Sequence, residues 1–178
     1  MYIVDSHCDS IMRVAERKFP LINPYNLSQK YPQVQMYAMF AGMPGEDAMA
    51  SYRRVTRYIG LFSIAKENEK DKIVKVTSYA DIEKALAEGK HAALVTIEGP
   101  TGLRGDPEIF REFYNFGIRI FGLAWHDSDL ACCDKVLDEG REDTGLTEKG
   151  KEIIKFGNEL GIIFDVSHLS DKSFWDLI

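Results

Sequence analysis

Six side chains stand out for the chemistry they could do: His7, Asp9, Glu98, His126, Asp165 and His168. The chain opens MYIVDSHCDSI, so His7 and Asp9 follow a short apolar run and stand two residues apart. In an extended segment the side chains of residues i and i+2 project to the same side, so both could reach one ion. Cys8 between them then points away and reads as a packing residue. Glu98 ends the apolar run ALVTI and precedes Gly99-Pro100, a place where a carboxylate without a partner would be costly to bury. The plain alternative for Glu98 is a cap on neighbouring backbone. His126 and His168 each close an apolar run, IRIFGLAWH and IIFDVSH, and Asp165 within the second could orient a metal ligand from behind. The fourth histidine, His91, begins a run and reads as structural. Any one such histidine is most simply a hydrogen-bonded structural residue. Three at the carboxyl ends of predicted strands, accompanied by Asp9 and Glu98, point instead to a metal site. Mixed His, Asp and Glu donors suit zinc or a similar divalent ion. A carboxylate between two histidine-containing groups can bridge two metals, which together activate water and polarise a carbonyl. That is hydrolytic chemistry. No serine sits in a G-x-S-x-G turn, and nothing around Cys8 requires a thiol nucleophile.

The elements that must position these residues follow a repeated grammar of apolar run, polar residues and helical pattern. YIVDSH is a first strand, with Ile3 and Val4 as its buried part. The stretch from Pro20 to Pro44 contains four prolines and reads as irregular. From Glu46 to about Asn68 the apolar residues Val55, Tyr58, Ile59, Phe62 and Ala65 fall on one helical face. Ser78, with Asp81 three residues on, starts a second helix that Gly89 stops. HAALVTIE is a continuous apolar run of the kind a strand covered on both faces needs. Asp106-Pro107 starts a helix that ends at Gly117, and Thr147 starts another that ends at Gly161. IRIFG and IIFD are further strands, and Ser170 caps a last helix. Four strands alternating with helices imply a parallel sheet, either open or closed into a barrel. No nucleotide-binding glycine fingerprint follows any strand. Ionisable residues at the strand ends are where barrel enzymes place their chemistry.

Bulk properties set the frame. A chain of 178 residues with 45% hydrophobic and 28% charged residues has ordinary globular composition, and one domain over residues 1–178 is the expected organisation. The net charge of -6 argues against a nucleic-acid or anionic-membrane binder. No apolar stretch approaches the ~20 residues needed to cross a bilayer, and no signal peptide is legible at the start. Three cysteines, two of them adjacent, make a poor disulfide framework, so a reducing, cytoplasmic setting is expected. The acidic loop from Asp134 to Asp143 reads as solvated surface.

The stretches VDSHCDS, TIEGP, LAWHDSD and GLTEKGKEIIKFGNELGIIFDVSHLS occur in the order and spacing of the renal or membrane dipeptidase family. That family is a group of zinc dipeptidases within the amidohydrolase-like barrels, and the resemblance runs from Asp5 to about Ser170. It implies a (β/α) barrel of TIM type, of which this chain carries about the first half. It further implies His7 and Asp9 as ligands of a first zinc, Glu98 as the carboxylate bridging two zinc ions, and His168 as a ligand of the second. His126 matches a histidine that contacts substrate and could hydrogen-bond the developing oxyanion. In the family's mechanism a metal-activated hydroxide attacks the peptide carbonyl of a dipeptide.

A complete family member has eight strands, whereas about four βα units are legible here. The second zinc site is therefore expected to be incomplete, and the chain reads as truncated. Half a parallel barrel leaves strand edges unpaired, so a homo-oligomer or a complementing second half is the expected partner, besides a small dipeptide substrate. The competing reading is a non-catalytic half-barrel that binds at most part of the metal site. A metal-dependent phosphoesterase would need more basic residues near the strand ends than the sequence offers.

Overall fold

The structure is a computed structural model that describes residues 1–16, 30–43, 45–103, 105–126 and 128–178. The part of the expected irregular stretch from Pro20 to residue 29 therefore lies outside the described residues. Two compact units divide the chain: Met1–Met39 with Thr56–Thr96, and Phe40–Val55 with Ile97–Ile178. Its elements are β1 (Ile3–Asp5), α1 (Ser10–Ala15), β2 (Gln33–Phe40), α2 (Ala48–Asn68), β3 (Ile73–Lys75), α3 (Tyr79–Ala87) and β4 (His91–Glu98), then α4 (Pro107–Asn115), β5 (Ile118–Gly122), α5 (Glu148–Leu160), β6 (Ile163–Asp165) and α6 (Asp171–Leu177). No helix among the described residues is long and apolar enough to cross a membrane.

In the first unit β1 pairs in parallel with β2, Ile3 opposite Gln33 and Asp5 opposite Gln35, and β3 pairs in parallel with β4. Strand β2 corrects the expectation of irregular structure across its span. Its glutamines interrupt an apolar run, which hides it from a pattern search. The fold resolves the cost by pairing them: Gln33 Nε2 donates to Gln35 Oε1 at 2.7 Å, and Gln35 Nε2 reaches the Asp5 carbonyl at 3.4 Å. The three-residue β3 is too short to leave a periodicity. The expectation that Ile3 and Val4 are buried is also corrected, since they are 38% and 58% exposed. Among the described residues β1 pairs with β2 alone, so one side of it lacks a covering neighbour. The core lies between β2 and the later part of α2, where the Tyr37 and Phe62 rings sit 5.4 Å apart and both are fully buried. Helix α3 starts as its sequence requires: the Ser78 hydroxyl accepts from Asp81 N, and the Asp81 carboxylate accepts from Ser78 N at 3.0 Å.

His91 opens β4, and its Nδ1 is buried without a hydrogen-bond partner. Burial pushes the imidazole below its ordinary value of 6.5. The unfolded chain then takes up the proton first. Stability from this group is complete above about pH 6.5 and falls as the pH drops below it, until the folded imidazole is protonated too. Urea melts at pH 7.5 and 5.5 are expected to show that loss, and His91→Leu to flatten it. An unchanged slope in the variant would assign the loss to another group.

In the second unit β5 and β6 pair in parallel, Ile120 opposite Ile163 and Gly122 opposite Asp165. Gly122 also approaches the end of β4: a Cβ there would lie 3.4 Å from the Ile97 carbonyl oxygen. The helices begin where their caps dictate. Asp106 Oδ1 accepts from Glu108 N at 2.8 Å, Thr147 Oγ1 from Gly150 N at 3.0 Å, and Ser170 Oγ from Ser173 N at 3.1 Å. Helix α5 ends on Gly161 in the left-handed conformation, φ +74°. Phe110 is the hub of this core, with its ring 5.1 Å from that of Phe121, 6.0 Å from Phe156 and 6.4 Å from Phe164. It joins α4 and α5 to the sheet that carries the strand ends described next.

Candidate metal centre

In the first unit, β1 stops at Asp5 because the Asp5 side chain turns the backbone, its Oδ1 accepting from His7 N at 3.2 Å. The Cys8 carbonyl accepts from Ala38 N at 3.0 Å, which ties the turn to β2. Asp9 then occupies the N-cap position of α1 with φ -87° and ψ 12°. His7 and Asp9 thus sit in a turn, not in the extended segment expected, yet their side chains converge: Nε2 and Oδ1 are 3.3 Å apart. Both are about half exposed. In the same unit the Tyr37 hydroxyl is buried without a hydrogen-bond partner. Burial first, then the charges of Cys8 and Asp5, push its ionisation upward, so the ring stays neutral.

In the second unit, Glu98 ends β4 and its carbonyl accepts from Ala41 N at 2.8 Å. Gly99 follows at φ +88°, and a Cβ there would run into the Ala41 carbonyl oxygen. The EGP sequence is therefore a sharp exit that leaves the Glu98 side chain at the strand end, 16% exposed. Its Oε1 lies 3.4 Å from His168 Nε2. His168 is the one non-glycine residue with positive φ among the described residues, at +65°. Its other nitrogen, Nδ1, lies 3.5 Å from Asp134 Oδ2. Trp125 lines the same place, 6.5 Å from the His168 ring and 6.1 Å from the His126 ring, with Phe40 edge-on at 4.6 Å and the Lys135 ammonium over it at 5.1 Å. His126 stands four residues beyond β5. Asp165 closes the end of β6, where its Oδ1 accepts from Ser167 N at 2.9 Å.

The residues fit a zinc-type ion. Donors about 2.0–2.1 Å from a tetrahedral zinc lie about 3.3–3.4 Å from one another. The His7–Asp9 and Glu98–His168 pairs both have that spacing. Each pair offers one imidazole nitrogen and one carboxylate oxygen, a donor set suited to zinc. The left-handed backbone at His168 is strain of the sort that gathers at functional sites.

Sequence patterns missed Asp134. The loop from Asp134 to Asp143, expected as solvated surface, is bound at both ends to the turn after β6. Asp134 N donates to the His168 carbonyl at 2.9 Å, Ser170 Oγ to Asp143 Oδ1 at 2.6 Å, and Lys172 N to Asp143 Oδ2 at 3.0 Å. These bonds span about thirty residues of chain, and no local periodicity announces them.

The chain is similar to known proteins. The sequence model described as membrane dipeptidase (peptidase family M19) matches residues 1–178. An uncharacterized dipeptidase of Schizosaccharomyces pombe is 25% identical over 97% of this chain and 45% of its own length. The crystal structure of a metallopeptidase of family M19, dipeptidase AC, superposes with a TM-score of 0.80 at 18% identity, over 99% of this chain and 59% of its own. A metallopeptidase from Rhodobacter sphaeroides, solved with a phosphinate mimic of the dipeptide L-Ala-D-Ala, superposes with a TM-score of 0.81 at 17% identity, over 99% of this chain and 61% of its own. The chain thus spans about half the length of the curated relative and about three-fifths of the solved structures. At these identities the structures establish the fold: the parallel α/β arrangement of the M19 barrels.

Proposed function

The chain belongs to the membrane dipeptidase family, peptidase family M19, and from that premise we propose that it serves metal-dependent hydrolysis of the peptide bond of dipeptides. The observation that carries this reading is the Glu98–His168 pair, an imidazole nitrogen and a carboxylate oxygen 3.4 Å apart at the ends of two parallel strands. The proposed ligands are His7, Asp9, Glu98 and His168, with Glu98 shared, and the proposed metal is zinc, two ions in a complete site. When bound, the metal supplies activated water and a polarised scissile carbonyl. The chain's own groups do the rest. His126, on the loop beyond β5, donates a hydrogen bond to the oxygen that gains charge as the carbonyl is attacked. Trp125 walls the same place with apolar surface, which strengthens such a bond by excluding water. Asp165 holds the turn that presents His168. A dipeptide substrate accords with the ligand of the Rhodobacter sphaeroides relative.

Partners and setting belong to the same proposal. Among the described residues β6 pairs with β5 alone and Ile163 on it is 60% exposed, as Val4 on β1 is 58% exposed. Unpaired parallel edges with apolar side chains favour a second copy or a complementing polypeptide. A cytoplasmic setting accords with the free thiols of the neighbouring Cys132 and Cys133.

The coverage of the relatives favours a second reading of the 178 residues taken alone, as a portion that binds metal and does not hydrolyse. A panel of dipeptides incubated with the zinc-loaded chain decides. Release of free amino acids that stops on chelation supports hydrolysis. Zinc uptake without release supports the second reading, and neither uptake nor release would contradict both.

A further inference from the structure

Asp134 touches His168 twice. Its backbone N–H donates to the His168 carbonyl at 2.9 Å, and its carboxylate oxygen lies 3.5 Å from Nδ1. We propose that Asp134 is the positioning residue of His168, fixing both its strained backbone and the ring nitrogen left free for a metal. The inference rests on the reading of His168 as a metal ligand.

His168 at φ +65° has left the broad allowed regions, which a non-glycine residue does at a cost that its surroundings must offset. The segment Cys132–Asp134 supplies that restraint. Cys133 and Leu169 form an antiparallel bridge, Ser170 N donates to the Cys132 carbonyl at 3.1 Å, and Asp134 N takes the His168 carbonyl. Ser173 Oγ adds a bond to the Cys132 carbonyl at 3.0 Å. His168 is thus held by one loop at its own carbonyl and through the residues that follow it.

The side chain adds direction. The imidazole lies between two carboxylates, Glu98 on the Nε2 side and Asp134 on the Nδ1 side. In a neutral imidazole one nitrogen carries the proton and the other the lone pair, and the partner of the first decides which. With a metal on the Nε2 lone pair the ring proton would sit on Nδ1, and the Asp134 carboxylate is the acceptor on that side. Asp165 does a different task, because its carboxylate closes the Ser167 turn. The division is plain: Asp165 shapes the turn, while Asp134 aims the ring.

The test is competition of the full chain against a chromogenic chelator for cobalt(II) or zinc, with far-UV circular dichroism confirming the fold. Asp134→Ala is expected to weaken one class of bound metal about 10–100-fold, the range typical of outer carboxylate partners. Asp134→Asn keeps an acceptor for the Nδ1 proton and is expected to recover most of the loss. Because the backbone bond survives both changes, a folding defect shared by them is not expected. Should Asp134→Ala fail to fold, Asp134→Glu, which keeps the charge and moves it, is expected to fold and to bind more weakly. Metal affinity unchanged in Asp134→Ala while His168→Ala loses metal would overturn this inference alone. Affinity unchanged in both variants would overturn the reading of His168 as a ligand, and the inference with it.

Discussion

Glu98→Gln is expected to cost more metal affinity than any other single conservative change in the chain. The carboxylate is the proposed shared ligand, so its loss should exceed the roughly 10–100-fold typical of an outer partner. Any dipeptide hydrolysis should fall with it. The effect on the metal-free fold has the opposite character. Glu98 is 16% exposed, and an amide in its place removes a charge from a poorly solvated position. The thermal midpoint without metal should therefore stay level or rise, as happens where a site trades stability for function. This separates the two readings of Glu98 available from sequence. A carboxylate serving only as a backbone cap would lose about 1 kcal/mol of stability on replacement and would leave metal binding untouched. Parallel thermal melts and metal titrations of Glu98→Gln read both quantities.

Gly99→Ala is expected to produce the largest loss of stability among changes near the site. Its φ of +88° is unfavourable for any side chain, and the added methyl would meet the Ala41 carbonyl oxygen, which is backbone and cannot swing aside. The conformational term alone is about 1–3 kcal/mol. With the collision added, a total above about 3 kcal/mol is expected, in the range reserved for strain and overpacking. Because Ala41 N also holds the Glu98 carbonyl, the variant should lose metal along with stability. Urea denaturation of Gly99→Ala against Gly89→Ala supplies the control. Gly89 has a similar φ of +71° but open space around it, so it should show the backbone cost without the collision.

How much could be read in advance differs from element to element. The helices announced themselves through their ends, because Ser78, Asp106, Thr147 and Ser170 satisfy backbone N–H groups within a few residues of themselves. Strand β4 was legible because both its faces are buried and its sequence is apolar throughout. Strand β2 was not, because Gln33 and Gln35 pair with each other and so cancel a polarity that a pattern search counts against burial. Ile3 and Val4 show the reverse error, since an apolar residue in a strand is buried only if a neighbour covers it. Glu98 was legible by its place, because it closes an apolar run that forms a strand. Asp134 was not, because its partner His168 lies far along the chain and the link is made by a loop without periodicity.

The central proposal is that His7, Asp9, Glu98 and His168 are metal ligands. Zinc content after equilibrium dialysis of the purified chain, measured by mass spectrometry beside His7→Ala and Glu98→Gln, tests it most directly. The account predicts at least one tightly held equivalent in the unaltered chain and its loss in both variants, each still folded. A folded chain that retains no zinc, or one that retains it equally when either residue is replaced, would contradict the account.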